Sequence, residues 1–226
     1  MGTETYPGGA GKIGLQGLGP DRPKYMRNIH RGTPSPGWRN FLALHAHELW
    51  ACDFFCVQTI FFRTIYVFFI IHHASREVVH FETTLHPTSE WTGRQIVEAC
   101  GWDREPPHFL LHDRDTRYGM AFDQRVRNLG IISVRTPFRS PQANAIAERW
   151  VRSVRTECLD HMLILNKRHL RRVLAEYVTY FNRWRPHRSV EQRAPCAQAP
   201  PFGGQDQEVI ARSVLGGLHH VYDLAA

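Results

Sequence analysis

The chain has no cysteine pattern able to build a metal or disulfide framework. Its five cysteines, at positions 52, 56, 100, 158 and 196, include no CxxC pair or Cys/His cluster, and an odd number does not suggest a disulfide scaffold. A reducing, cytoplasmic setting is expected. The first twenty residues lack the basic stretch and apolar run of a signal peptide, so nothing there directs export. No internal repeat is present, which excludes a solenoid. The one long apolar run, Trp50 to Ile71, is not free of polar residues: it carries Asp53, Gln58 and Arg63. Each charge near the centre of a membrane helix costs about 2.5 to 3.5 kcal/mol. The run is mostly aromatic and β-branched, so it predicts two buried strands joined by a turn near Gln58 to Arg63, with no membrane partner.

What the chain does hold is enough apolar material for a sizeable core, 42% hydrophobic and 12% aromatic over 226 residues. The net charge of +7 is unevenly placed. Residues 149 to 193 hold eleven Lys and Arg against four acids, which leaves the rest of the chain balanced at seventeen of each. A basic region of this kind is the footprint of a surface that lies along nucleic-acid phosphates.

Residues 1–37, with nine Gly and five Pro and little periodicity, are expected to form a flexible leader. Trp38, Phe41, Leu42 and His45 then recur at helical spacing. Strands are predicted at 49–57, 64–72 and 77–84, with connections short enough for an antiparallel meander. A helix capped by Thr88 or Ser89 follows, with Trp91, Ile96, Val97 and Ala99 as its apolar positions. Next come a strand over 108–113, a helix closed by Gly130 and a strand over 131–136. A helix starting at Ser140-Pro141 carries Ile146, Trp150 and Val154 on one face. The most regular pattern is Leu170, Val173, Leu174, Tyr177, Val178 and Phe181, whose opposite face bears Lys167, Arg168, Arg171 and Arg172. A linker and a C-terminal hairpin turning at Gly216-Gly217 complete the chain over residues 196–226.

Three carboxylates stand out. Asp53 interrupts a strand that should be buried on both faces, where an unpaired carboxylate costs several kcal/mol unless a cation or hydrogen bonds compensate it. Asp113 ends the apolar strand FLLH. Glu148 lies off the apolar stripe of its helix, with Arg152 and Arg155 projecting from nearly the same side. If the two strands are neighbours and the helix crosses them, the three oxygens suit Mg²⁺ or Mn²⁺, and two such ions could support in-line phosphoryl transfer.

The order Asp53, then Asp113 in LLHDRDTRYG, then SPQANAIAERWVRSVRTECLDH with thirty-four residues between Asp113 and Glu148, resembles the D,D,E catalytic core of retroviral-type integrases and bacterial insertion-sequence transposases. FNRWRPHRSVEQRAP resembles the Tyr-Asn-x-x-Arg-Pro-His motif that ends many such cores, and the resemblance covers roughly residues 38–195. It implies a ribonuclease H-like α/β fold, with a five-stranded mixed sheet flanked by helices. It also implies Asp53, Asp113 and Glu148 as catalytic, metal-binding residues, with Asp115, where many members carry Gly, as second choice to Asp113. Arg152, Arg155, Lys167 and Arg168 become candidate DNA contacts; Gln142 and Asn144 are either DNA contacts or helix-start residues. The implied partners are the DNA of mobile-element ends and targets, further copies of the chain, and a separate DNA-recognition subunit, since residues 1–37 contain no visible helix-turn-helix or zinc domain. The setting would be a bacterial cytoplasm, at the nucleoid. The alternative expectation is a catalytically idle DNA-binding remnant of a mobile element.

Overall fold

The computed structural model describes residues 36–101, 104–137, 144–187, 191–196 and 209–224. Most of the leader and of the linker, and the Ser140-Pro141 helix start with Gln142, lie outside them.

Helix α1, Pro36–Leu44, leads through a short 3₁₀ turn into three antiparallel strands, β1 (Leu49–Gln58), β2 (Thr64–His72) and β3 (Val78–Thr84). Helix α2 (Ser89–Cys100), strand β4 (Phe109–His112), helix α3 (Met120–Asn128) and strand β5 (Ile132–Arg135) follow. The sheet order is β3-β2-β1-β4-β5, with β1, β4 and β5 mutually parallel and β2 and β3 antiparallel to their neighbours. Trp50 to Ile71 therefore forms β1 and β2, and no described helix is long and apolar enough to cross a membrane.

Side chains alternate across a strand, so the apolar run of β1 feeds two cores. Leu49, Ala51, Phe55 and Val57 join Val67, Phe69, Phe109 and Leu111 on the face covered by α4 (Ala145–Glu157) and α5 (Lys167–Arg183). Trp50 and Cys52 join Phe68, Ile70 and Leu110 on the face covered by α2 and α3. Trp150 anchors α4, its ring 4.2 Å from Phe69 and 5.7 Å from Phe55. The α2 expectation needs one correction: Val97 is exposed, and the buried face is built by Thr92, Gly93, Gln95, Ile96, Ala99 and Cys100. Gly93 occupies that face because a Cβ there would meet the Phe122 backbone at 3.2 Å, so α2 and α3 pack more closely than a larger apolar residue permits.

Gly130 ends α3 with φ +74 and open space around its missing Cβ. Gly130→Ala is expected to lower stability by about 1 kcal/mol through backbone strain alone, readable as a small shift in the urea midpoint with an unchanged slope.

At the edge of the sheet, the Asn182 side chain accepts from Val78 N at 2.9 Å and donates to Val78 O at 3.0 Å. The C-terminal hairpin of β6 (Val209–Val214) and β7 (His219–Leu224) turns through Gly216 and Gly217, both at positive φ. It docks on α5 through buried Val214, Leu215 and Val221, and His219 stacks on Tyr180 at 4.5 Å.

Candidate active site

The parallel register of β1 and β4 pairs Ala51 with Leu111, so continuing it by two residues sets Asp53 opposite Asp113. Asp53 has the parity of Ala51 and Phe55, which puts it on the face that α4 covers. Helix α4 lies on this face with Ala147, Trp150 and Val154 buried and Glu148 exposed. The chain thus brings its three candidate carboxylates to one end of one face.

Their electrostatics agree. Burial pushes the Asp53 carboxyl up to about 7, the charges of Asp113 and Glu148 push the same way, and the Phe54 amide and the Arg117 cation offset only part of this. Burial also raises Asp113. The charge of Asp113 adds to the upward push on Asp53, and that of Asp115 to the upward push on Asp113. Each aspartate has one oxygen engaged locally: Asp53 Oδ1 accepts from Phe54 N at 2.7 Å, and Asp113 Oδ1 accepts from Asp115 N at 3.0 Å. Each second oxygen has no hydrogen bond among the described residues. Among those residues no three His, Cys, Asp or Glu side chains are gathered tightly enough to hold a metal ion. The carboxylates share a field without being at ligand distance from a common point. Hard, partly free, mutually repelling oxygens are the donor set that a divalent cation compensates, so the residues present fit Mg²⁺ or Mn²⁺.

The backbone around Asp113 is held firmly. His112, fully buried, donates from Nδ1 to Asp113 O at 2.6 Å and receives the Ser133 hydroxyl on Nε2 at 2.7 Å. Burial lowers its pKa to about 4, which keeps the ring neutral and fixes that tautomer.

Asp115 has a different task. Its two oxygens take Arg117 Nε at 2.9 Å and Nη2 at 2.6 Å, and Oδ1 also accepts from Arg117 N at 2.9 Å. The guanidinium in turn lies over the rings of Phe54 and Tyr66, 4.6 and 5.4 Å from their centroids. This clamp ties the loop after β4 to β1 beside Asp53. Sequence reasoning missed it, although the i, i+2 pairing in RDTR was there to be read.

Of the other candidates, Asn144 is buried at the start of α4, and its side-chain N and O have no partner among the described residues. Arg152 is exposed. Arg155 Nη2 donates to Cys56 O at 2.9 Å and its guanidinium lies over Phe55, so it follows β1 away from Asp53. Lys167 and Arg168 are exposed at the start of α5, remote in sequence from the carboxylates.

A second polar cluster was also missed. Arg185, in the RPH segment, grips Glu157 at the end of α4 with bonds of 2.6 and 2.5 Å, and Tyr177 Oη donates to the same carboxylate at 2.9 Å. Burial opposes the Glu157 charge, but Arg185 and Tyr177 outweigh it and hold the carboxyl below its ordinary value.

Residues 129–195 match the family described as integrase core domain. The putative transposase InsD for insertion element IS2E of Escherichia coli (strain K12) is 32% identical over 136 residues, covering 57% of this chain and 62% of that protein. The Escherichia coli transposase InsD for insertion element IS2A/D/F/H/I/K is also 32% identical, over 57% of this chain and 45% of its own length. The chain thus spans between about half and three fifths of the curated relatives it matches. Among solved structures, a chain of the simian T-cell lymphotropic virus intasome aligns with TM-score 0.57 and 14% identity, over 83% of this chain and 66% of that one. The HTLV-2 integrase catalytic core domain, solved in complex with magnesium in a trimeric form, aligns with TM-score 0.54 and 12% identity, over 67% of this chain and 95% of that one. These structural likenesses carry the fold alone, which is ribonuclease H-like. The matched segment and the curated relatives make this chain similar to the integrase-core family and to insertion-sequence transposases.

Proposed function

We propose that the chain cleaves DNA and transfers strands at the ends of a mobile element, with residues 38–195 as the catalytic core, residues 1–37 as leader and residues 196–226 as linker and tail. The observation that carries this reading is the placement of Asp53 opposite Asp113 under the helix bearing Glu148, with Asp53 pushed up to about 7. Asp53, Asp113 and Glu148 would hold Mg²⁺ or Mn²⁺, which when bound supplies Lewis-acid activation of a water or 3′-hydroxyl and neutralises charge at the phosphate. The protein's own part is positional. His112 and the Asp115–Arg117 clamp fix Asp113 against β1, and Trp150 fixes the rotation of α4, so Glu148 stays on the site side. Arg152 and Arg155, one and two turns beyond Glu148, continue the same helix face as a track for the DNA backbone. Asn144, buried one turn before Glu148 with no side-chain partner among the described residues, fits a contact to DNA or to the site itself. Lys167 and Arg168 would take phosphates further along. Paired end cleavage calls for more than one copy of the chain, and recognition of the ends for a DNA-reading subunit, acting at the bacterial nucleoid.

The test is nicking of supercoiled plasmid by the purified chain with Mn²⁺ or Mg²⁺ against an EDTA control. No metal-dependent nicking under any metal condition, with DNA binding intact, would remove the enzymatic reading.

A second expectation concerns the metal-free protein. Asp53→Asn deletes a charge that burial and two neighbouring carboxylates disfavour, so it should stabilise the chain in EDTA at pH 8 by about 1 to 2 kcal/mol. The same variant should lose most of the upward shift in melting temperature that millimolar Mn²⁺ gives the wild type. A destabilised variant with an intact metal response would mean that Asp53 serves the fold and not a metal.

A further inference from the structure

The end of the β1–β2 hairpin is unlike the rest of the surface. Ile60, Phe61 and Phe62 form its tip and are 41%, 69% and 85% exposed. Phe62 is held at φ +58, a left-handed conformation that a bulky residue seldom adopts, so the backbone turns this ring outward at some conformational cost. The tip is not loose. Thr59 N donates to Arg63 O and Phe62 N to Thr59 O, both at 2.9 Å, and Ile60 N donates to Ile164 O at 2.9 Å. That last bond brings in Leu163 and Leu165, 78% and 48% exposed, on the strap before α5. The result is a fixed apolar ledge with two aromatic rings at its outer end.

Its surroundings select the occupant. Arg63 follows the tip directly, Lys167 and Arg168 follow Leu165, and all three are exposed. Arg155 reaches Cys56 on the same strand. No acidic residue occurs between Asp53 and Glu77, nor between Asp160 and Glu176. A second copy related by a two-fold axis would bring these cations against their own counterparts, which is unfavourable. Aromatic faces rimmed by cations with no acids among them match nucleotides, whose bases stack while their phosphates are neutralised. The ledge is also in line with the candidate site: Gln58 lies about 17 Å beyond Asp53 at the ordinary rise of a strand, with Arg155 between them. That distance is spanned by about five stacked nucleotides.

We propose that the Phe61–Phe62 tip of the β1–β2 hairpin is a stacking platform for unpaired DNA bases, such as those of a frayed or cleaved end, a few nucleotides from the reacting phosphate. The inference rests on the reading of the chain as a DNA-acting enzyme, and it adds a subsite that prefers single-stranded over base-paired DNA.

Fluorescence anisotropy tests it with the full chain in EDTA at fixed salt, using a labelled 20-nucleotide single strand and the same sequence as a blunt duplex. Phe61→Ala and Phe62→Ala should each weaken single-strand binding about tenfold while leaving duplex binding within about twofold. Phe62→Leu should lose as much as the alanine variant, because it keeps apolar area and lacks a π face, whereas Phe62→Trp should retain the affinity. Arg63→Ala should weaken both forms and reduce the salt slope by about one. Equal losses on both DNA forms, no loss on either, or retention by Phe62→Leu would each overturn the platform. So would single-strand affinity unchanged in variants that sediment as monomers where the wild type is a dimer, which would give the ledge to a second copy. These outcomes are separable from the enzymatic reading: a wild type that fails to nick plasmid yet shows the aromatic dependence loses the chemistry and keeps the platform.

Discussion

Asp113→Asn should reduce metal-dependent plasmid nicking by at least about a thousandfold, the order of loss seen when an active site loses one electrostatic element, while Asp115→Asn should retain activity within about tenfold. The two aspartates are two residues apart and chemically identical, so the contrast follows from their partners. Asp113 continues the β4 register opposite Asp53 and has an oxygen free of hydrogen bonds among the described residues. Asp115 has both oxygens committed to Arg117, whose guanidinium holds its carboxyl below the usual range. To bind a metal, Asp115 would have to release a bidentate ion pair and uncover the cation lying on Phe54. Its amide substitute can still accept one guanidinium hydrogen bond, so the loop should survive the change with a modest effect. Gel densitometry over a time course in Mn²⁺ decides the matter, and circular dichroism melts of both variants check the fold. Comparable losses in the two variants would dissolve the distinction between ligand and clamp.

Arg185→Ala should lower stability by about 2 to 3 kcal/mol, a melting shift of roughly 4 to 12 °C for a chain of this size. The pair with Glu157 is about three-quarters buried on both sides, which places it between exposed pairs, worth almost nothing, and buried pairs, whose loss is severe. Removing the guanidinium leaves the Glu157 carboxylate with only the Tyr177 hydroxyl inside a half-buried pocket. The pH dependence follows from the sign of the shift. Glu157 is depressed in the folded state, so its contribution is present above the ordinary glutamate range and is lost as pH falls through the folded value. Wild type and Glu157→Gln should therefore differ most near neutral pH and converge in acid, as denaturant midpoints from pH 7 down to pH 3 would record. A gap that widened on acidification would mean that the pair is not what holds the end of α4.

The strands were legible because β1 and β2 are apolar on both faces, and their bounds differ from those expected by no more than one residue at either end. Asp53 was legible because a carboxylate in such a run needs a reason. The neighbour relation of β1 and β4 could be posed from the sequence but not read from it, since parallel pairing is set by how helices pack across the sheet. The Arg185 to Glu157 grip joins residues 28 apart, one at the end of α4 and one just beyond α5, and leaves no local pattern. Val97 misled because it shares the spacing of a buried stripe, whereas the buried side of α2 is set by Gly93 and by how closely α3 approaches.

The amide of Asn182 against Val78 has a consequence for life at high concentration. β3 is an outer strand, and an outer strand offers a row of unsatisfied backbone groups to any strand that drifts past. By bonding both the N–H and the C=O of Val78, Asn182 plays the part of a neighbouring strand one residue long. It closes the ladder at that point and blocks the register in which another sheet would add. A side chain inside a segment that resembles a recombination motif thereby acts as a guard against amyloid-like stacking, protecting the folded molecule from its own kind.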